Sequence, residues 1–170
     1  MTNRTAITSA RRIVIKVGSS SLTTPDGALD ERRLDVLVTA LATRAKDAEI
    51  ISEFSANVGD VVSGVIQQGR DAKMVYVNLG RTEGKIPPQE QVPGEIYKHG
   101  ERIKCFVVDV KQGMKGPEIT LSRSHPALVK QLFALEVPEL KERVVEIMGI
   151  AREAGHRTKI AVRAHRAGVS

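Results

Sequence analysis

Aromatic side chains are scarce in this sequence. Of 170 residues, two are Tyr, three are Phe and none is Trp, 3% in all. A core must therefore be assembled from Val, Ile, Leu and Ala, and each folded unit is expected to be small and moderately stable. There is a single cysteine, Cys105. A disulfide within the chain and a cysteine-rich metal centre are thereby excluded. The setting of Cys105, "RIKCFVVDV", reads as a buried core thiol rather than a nucleophile. No apolar run approaches the ~20 residues of a membrane helix, and the polar N-terminus has no signal-like segment. The expectation is a cytoplasmic protein without membrane contact.

The four histidines, His99, His125, His156 and His165, show no zinc-ligand spacing and have no neighbouring cysteine. Paired carboxylates such as Asp30/Glu31 and Glu139/Glu142 fit solvated helix surfaces. No catalytic residue, metal ligand or cofactor site is expected, and the chain reads as non-enzymatic. What is in surplus is positive charge. The formal net charge is +6 and the sequence pI is about 9.7, a weak pointer to a polyanionic partner such as nucleic acid.

Along the chain, residues 1–10 read as a disordered start. "IVIKV" (13–17) has the β-branched texture of a short strand, and "GSSSLTTPDG" reads as a loop. Leu34, Leu37, Val38, Leu41 and Ala45 then recur at three- and four-residue steps, which predicts an amphipathic helix over roughly 30–51 with Asp30 as N-cap. After Phe54 come "VGDVVSGVIQQ", "KMVYVNLG", "RTEGKIPP", "RIKCFVVDV" and "PEITLSR". These five β-rich runs in about seventy residues predict a small closed barrel, one end of which is crossed by the Pro/Gly-rich "PPQEQVPGEIYKHGE". "PALVKQLFALEV" is helical, with Pro126 in its first turn and Leu128, Leu132 and Leu135 on one face. "VVEIMGIAREAG" and "HRTKIAVRAHR" read as two strands joined by a turn. "GMKG" (113–116) matches a GXXG pattern but falls between two barrel strands, where a hairpin turn is the better reading.

The runs over 58–124 resemble the S-one-type RNA-binding domain, an oligonucleotide-binding (OB) barrel. The phrases "EGKIPPQEQVPGE", "GPEITLSRSHPALVKQLFALEVPEL" and "IAREAGHRTKIAVR" are similar to the NusA family of bacterial transcription elongation and termination factors, over roughly residues 53–169. The resemblance implies contact with single-stranded transcript RNA and with the RNA polymerase transcription complex. It also implies that the tail is the start of a KH module, whose backbone-gripping GXXG loop corresponds to a position after residue 170. On the barrel, single-stranded RNA calls for cations along the backbone path and aromatics for base stacking, each stack worth about 1–3 kcal/mol. The RNA-binding candidates are Lys73, Tyr76, Arg81, Lys85, Lys104, Phe106 and Arg123, with Arg102 adding positive charge. Tyr76 stands at the usual aromatic position of such modules. Strand alternation puts Lys104 and Phe106 on the face opposite Ile103, Cys105 and Val107. Phe106 is then either an exposed stacking platform or a core residue, and Arg123 either binds RNA or ties the barrel to the next helix. One departure is Pro87, where modules of this class carry His or an aromatic; it removes a stacking position.

"RRIVIKVGSSSLTTPDGALDERRLDVLVTALA" resembles the N-terminal strand–loop–helix of γ-glutamyl kinase, over about residues 11–45. In that family Lys16 and the Gly18–Ser21 loop would contact ATP phosphates. A lone β-loop-α unit cannot build the rest of a phosphoryl-transfer site. The expected class is thus α+β, mainly β: a five-stranded OB-type barrel flanked by an N-terminal strand–loop–helix and a C-terminal helix plus β-hairpin, a truncated KH module. The expected division is a kinase-like fragment (1–52), the barrel (53–125) and a linker helix with the half KH module (126–170). An RNA-binding fragment of a transcription termination and antitermination factor is the first functional reading. A recombined chimera without selected activity, forming a new fold or a homo-oligomer through open strand edges, is the second. Residual nucleotide binding by the N-terminal loop is the third.

Overall fold

The five β-rich runs close into one barrel. The computed structural model describes residues 14–69, 71 and 73–165; residues 1–10, expected to be disordered, and Ile13 of the "IVIKV" run lie outside these. The chain divides into two compact units, 1–49 and 50–170.

In the first unit, residues 14–18 have no regular structure, a 3-10 turn follows at Ser19–Ser21, and Thr23 and Leu29 form an isolated bridge. The expected strand at 13–17 is therefore corrected over its described part. No described strand lies beside it, and a lone extended segment has no ladder to join; Val14 is 79% exposed. Helix α1 (Glu31–Ser55) begins where the sequence places it. The Arg33 amide donates to Asp30 Oδ1 at 3.2 Å, the N-cap bond. The apolar stripe is less covered than its spacing suggests. Leu34 and Leu37 are half-buried, while Val38, Leu41 and Ala45 are exposed, because the described residues of this unit supply no second layer.

In the second unit, strands β1 (Val61–Gln67), β2 (Val75–Asn78), β3 (Glu83–Ile86), β4 (Arg102–Gly113) and β5 (Gly116–Ser122) form a closed barrel in the order β1-β2-β3-β5-β4. All neighbours are antiparallel except β3 and β5, whose short parallel pairing (Gly84↔Ile119, Lys85↔Thr120) closes the barrel. This arrangement fits the OB fold. The 113–116 segment is the β4–β5 hairpin turn, with Gly113 paired to Gly116. The core holds Ile66, Val77, Ile86, Ile103, Cys105, Val107, Ile119 and Leu121, and Ile50 and Phe54 of α1 pack onto it. Aliphatic residues thus do most of the filling, as the lack of aromatics demands. Each fully enclosed Ile, Leu or Val contributes about 1.5–3 kcal/mol. Burial pushes the Cys105 thiol up to about 12, so it is an inert core group.

Helix α2 (Pro126–Glu136) and the single-turn α3 (Pro138–Lys141) lead into a two-stranded sheet, β6 (Val145–Glu153) and β7 (Arg157–Ala164). Leu128 of α2 is buried, but Leu135, read as its face-mate, is 52% exposed. Helix α3 ends in a Schellman motif: the Val144 amide donates to Glu139 O at 2.9 Å and the Arg143 amide to Leu140 O at 3.3 Å. Position C′ is held by Arg143 at φ 56°, where glycine would cost less. The turn of the β6–β7 hairpin rests on the barrel loop: a Cβ at Gly155 (φ 80°) would stand 2.4 Å from Pro93 O.

Two stability outcomes are expected in chemical denaturation. Ile119→Ala, at a fully enclosed site, should cost about 3 kcal/mol. Arg143→Gly should raise stability by about 1 kcal/mol by relieving the left-handed backbone.

Candidate nucleic-acid interface

The seven candidate residues fall into three places. The first is the outer face of β2–β3. Val77 and Ile86 point inward and are fully enclosed, so pleat alternation turns Tyr76 and Lys85 outward, where they are a direct cross-strand pair. Gln67 of β1 flanks Tyr76 on the other side. The Cδ2–Cε2 edge of the Tyr76 ring lies against Gly69; a Cβ there would stand 2.0 Å from Cδ2 and 2.2 Å from Cε2. Any larger residue at 69 would evict the ring. Lys85 Nζ lies 3.5 Å from Glu118 Oε1, and Lys111 Nζ lies 3.9 Å from Glu118 Oε2. One carboxylate is therefore shared by two ammonium groups, and the cluster stays net positive. Lys73 is exposed on the β1–β2 loop. That loop is held to the end of β3 by Gln91, whose Nε2 donates to Lys73 O (2.8 Å) and to Ile86 O (3.0 Å).

The second place is the β2–β3 turn. Arg81 Nη1 lies 2.7 Å from Glu53 Oε2 at the end of α1, so its guanidinium fastens the end of that helix to the barrel.

The third place is the joint between the barrel and α2. Alternation is obeyed at Phe106, which does face away from Cys105, but the residue is 7% exposed. Its ring is covered by His125, stacked at 4.3 Å between centroids and 3° between planes. The stacking platform expected here is already occupied by the protein's own imidazole. His125 also caps α2, its Nδ1 accepting from the Ala127 amide at 3.1 Å, and its carbonyl accepts from Arg152 Nη1 at 3.0 Å. Arg123 is likewise engaged within the protein. Its Nε donates to Glu95 Oε2 at 3.2 Å, its Nη2 donates to Glu95 Oε1, and its Nη1 donates to Lys104 O at 2.8 Å. Of the two readings of Arg123, the geometry matches the tie. Lys104 Nζ reaches Glu136 Oε1 of α2 at 3.2 Å.

Charge and burial compete in this joint. Burial pushes the Glu95 carboxyl up, but hydrogen bonds from Arg123 and Tyr97 outweigh it and hold the group below the ordinary carboxylate range. Burial and the bond to Glu95 raise the Tyr97 phenol to about 12. The Tyr97 hydroxyl donates to Glu95 Oε2 at 2.8 Å and accepts from the Val92 amide at 2.9 Å.

Sequence reasoning missed Lys111, which the register places opposite Glu118, and His125 and Arg152, whose roles depend on contacts distant in the chain. The signal for Lys111 was present, since counting back from the Gly113–Gly116 turn pairs it with Glu118. At the N-terminal loop, the first turn of α1 is already served by the Asp30 carboxylate, which also pairs with Arg33 Nε at 3.1 Å. The Ser21 amide donates to Gly18 O at 2.9 Å, closing the loop on itself.

Comparison with known proteins fits this geometry. The family model of the NusA-like first KH domain matches residues 123–170, the stretch that holds α2, α3 and the β6–β7 hairpin. The chain is 51% identical over 137 residues to the transcription termination/antitermination protein NusA of Mycobacterium tuberculosis, covering 75% of this chain and 40% of that protein. It is 44% identical over 127 residues to NusA of Bacillus subtilis, covering 75% of this chain and 34% of the relative. With NusA of Thermus thermophilus it shares 41% identity over 132 residues, 76% of this chain and 34% of the relative. The chain thus spans two fifths or less of the length of these curated relatives.

Glu95 carries a pH prediction. Its carboxyl is depressed in the folded state, so its contribution is complete above the ordinary value of 4.5 and is lost as pH falls through the lower folded value. Glu95→Gln should cost about 1–2 kcal/mol at neutral pH, and its midpoint of denaturation should change less between pH 6 and about pH 3 than that of the unsubstituted protein.

Proposed function

We propose that this chain is a non-enzymatic RNA-binding segment of the NusA type, acting in transcription termination and antitermination in the cytoplasm. The single observation that carries the reading is the continuity of two modules. A closed barrel in the order β1-β2-β3-β5-β4 runs directly into a stretch matched by the NusA-like first KH domain, and the similarity to NusA proteins extends over about three quarters of the chain. Single-stranded transcript RNA is the partner that suits the barrel, and the transcription complex is the setting in which NusA-type factors meet it.

Within the barrel we assign the RNA-contacting role to Tyr76, Lys85 and Lys73, joined by Lys111. A half-exposed tyrosine ring on a β-sheet face offers a base a surface to stack on, and the surrounding ammonium groups suit the phosphates on either side. Phe106, Arg123 and Arg81 are assigned structural roles, because each is engaged by another part of the protein; Lys104 joins them because Glu136 balances it one for one, whereas Lys85 and Lys111 share a single carboxylate. Binding should be modest and salt-sensitive, since phosphate contacts dominate the affinity.

The test is a fluorescence-anisotropy titration with labelled single-stranded RNA of about twelve nucleotides at two salt concentrations. Tyr76→Ala should weaken binding by about 1–3 kcal/mol with little change in salt slope, whereas Lys85→Ala should lower the slope by about 0.7. Wild-type affinity in both variants would remove this face from the interface.

A further inference from the structure

We propose that the outward face of the β6–β7 hairpin is a second contact surface for the phosphate backbone of single-stranded RNA, carried by Lys159 and Arg163. The inference rests on the RNA-binding reading above and extends it beyond the barrel.

The register of the hairpin separates two faces. Val145, Ile147, Ile150 and Arg152 pair with Ala164, Val162, Ile160 and Thr158. That face turns towards α2, as the Arg152 bond to His125 O requires. The opposite face carries Glu146, Gly149, Ala151 and Glu153 against Arg163, Ala161, Lys159 and Arg157. All eight of these residues are exposed. The middle of this face is floored by Gly149, Ala151 and Ala161, and a Cβ at Gly149 would meet nothing within 4 Å. A bulge between Ile147 and Gly149 keeps the alternation such that the small residues stay together on the outside.

Charge on this face is not balanced residue by residue. Arg157 donates to Glu153 through Nε at 3.1 Å and Nη2 at 3.3 Å. Glu146 is met by His165 Nε2 at 3.4 Å rather than by its register partner Arg163. Both carboxylates therefore have partners, while Lys159 and Arg163 have no ion pair among the described residues. Strand β7 itself contains no acidic residue. Lys159 and Arg163 are four residues apart on one strand, about 13 Å, a span that reaches over two phosphates of an extended nucleic-acid strand. Met148, at the bulge beside Gly149, is 50% exposed, but a single Met beside a floor of Gly and Ala is a small anchor for a protein partner. A small-residue surface bordered by cations that have no ion pair among the described residues suits a phosphate chain passing close to the sheet. The hairpin is also fixed in place, by Gly155 against Pro93 and Arg152 on His125 O, so the surface stands at a set position relative to the barrel.

The experiment uses the full chain with labelled oligouridylates of about twelve and about thirty nucleotides, in anisotropy titrations at two salt concentrations. The Lys159→Gln/Arg163→Gln double variant should bind the longer RNA about tenfold more weakly, with the salt slope lowered by about 1.4, and should bind the shorter RNA within about twofold of wild type. Ala161→Glu, which keeps both cations and places a carboxylate on the floor, should produce a similar loss on the longer RNA, and it decides the matter if the double variant has a lowered thermal midpoint. Unchanged affinity and slope for the longer RNA in both variants, with Tyr76→Ala still weakening binding, would overturn this inference and leave the barrel reading standing. Absence of RNA binding by the wild-type chain would overturn both.

Discussion

The parallel pairing of β3 with β5 is the contact on which the second unit depends. Only Gly84↔Ile119 and Lys85↔Thr120 take part, yet without it the five strands would be an open, twisted sheet with two bare edges and an apolar face too small to bury itself. Closure encloses Val77, Ile86, Val107, Ile119 and Leu121 completely. It also sets Lys85 beside the β4–β5 hairpin, where Glu118 links it to Lys111. The same pairing thus completes the core and collects the cations of the outer face.

The core and that face share the strands, but the joint with α2 has a different chemistry. There the ends of β4 and β5, the loop across the barrel end and β6 meet through Glu95, Arg123, His125 and Arg152. Half-buried charges are costly unless each has a geometrically matched partner. Arg123 meets this condition by serving a carboxylate and a carbonyl at once. The consequence for function is an exchange of roles. Residues whose type suits RNA binding are used here to tie α2 and the C-terminal hairpin to the barrel, and exposed cations are left on the β1–β2 loop and on the outer face of the C-terminal hairpin.

The first unit shows what local preference achieves without tertiary support. Asp30 starts α1 where expected, and the helix runs to Ser55. The "IVIKV" run has strand-forming residues but no ladder over its described part, because β-branched side chains favour a strand only where a neighbouring strand supplies hydrogen bonds and packing.

By itself the sequence determined the runs that form the barrel's strands, the N-cap of α1 and the inward side of β4, because pleat alternation, Gly and Pro punctuation and capping chemistry act between residues close in the chain. Strands β1, β2 and β3 lie within runs legible in advance, as do α2 and the β6–β7 hairpin, while β4 and β5 extend beyond theirs to meet at the Gly113–Gly116 turn. Tyr76 and Lys85 were legible as outward residues for the same reason. The fate of Phe106 was decided only by tertiary structure. Alternation could place it outside the barrel, but not foresee that His125 would cover it from a residue nineteen positions away. The same holds for Arg123 and Lys104, whose partners Glu95 and Glu136 lie twenty-eight and thirty-two positions distant. Exposure of a charge is a property of what packs above it, and local periodicity carries no record of that packing.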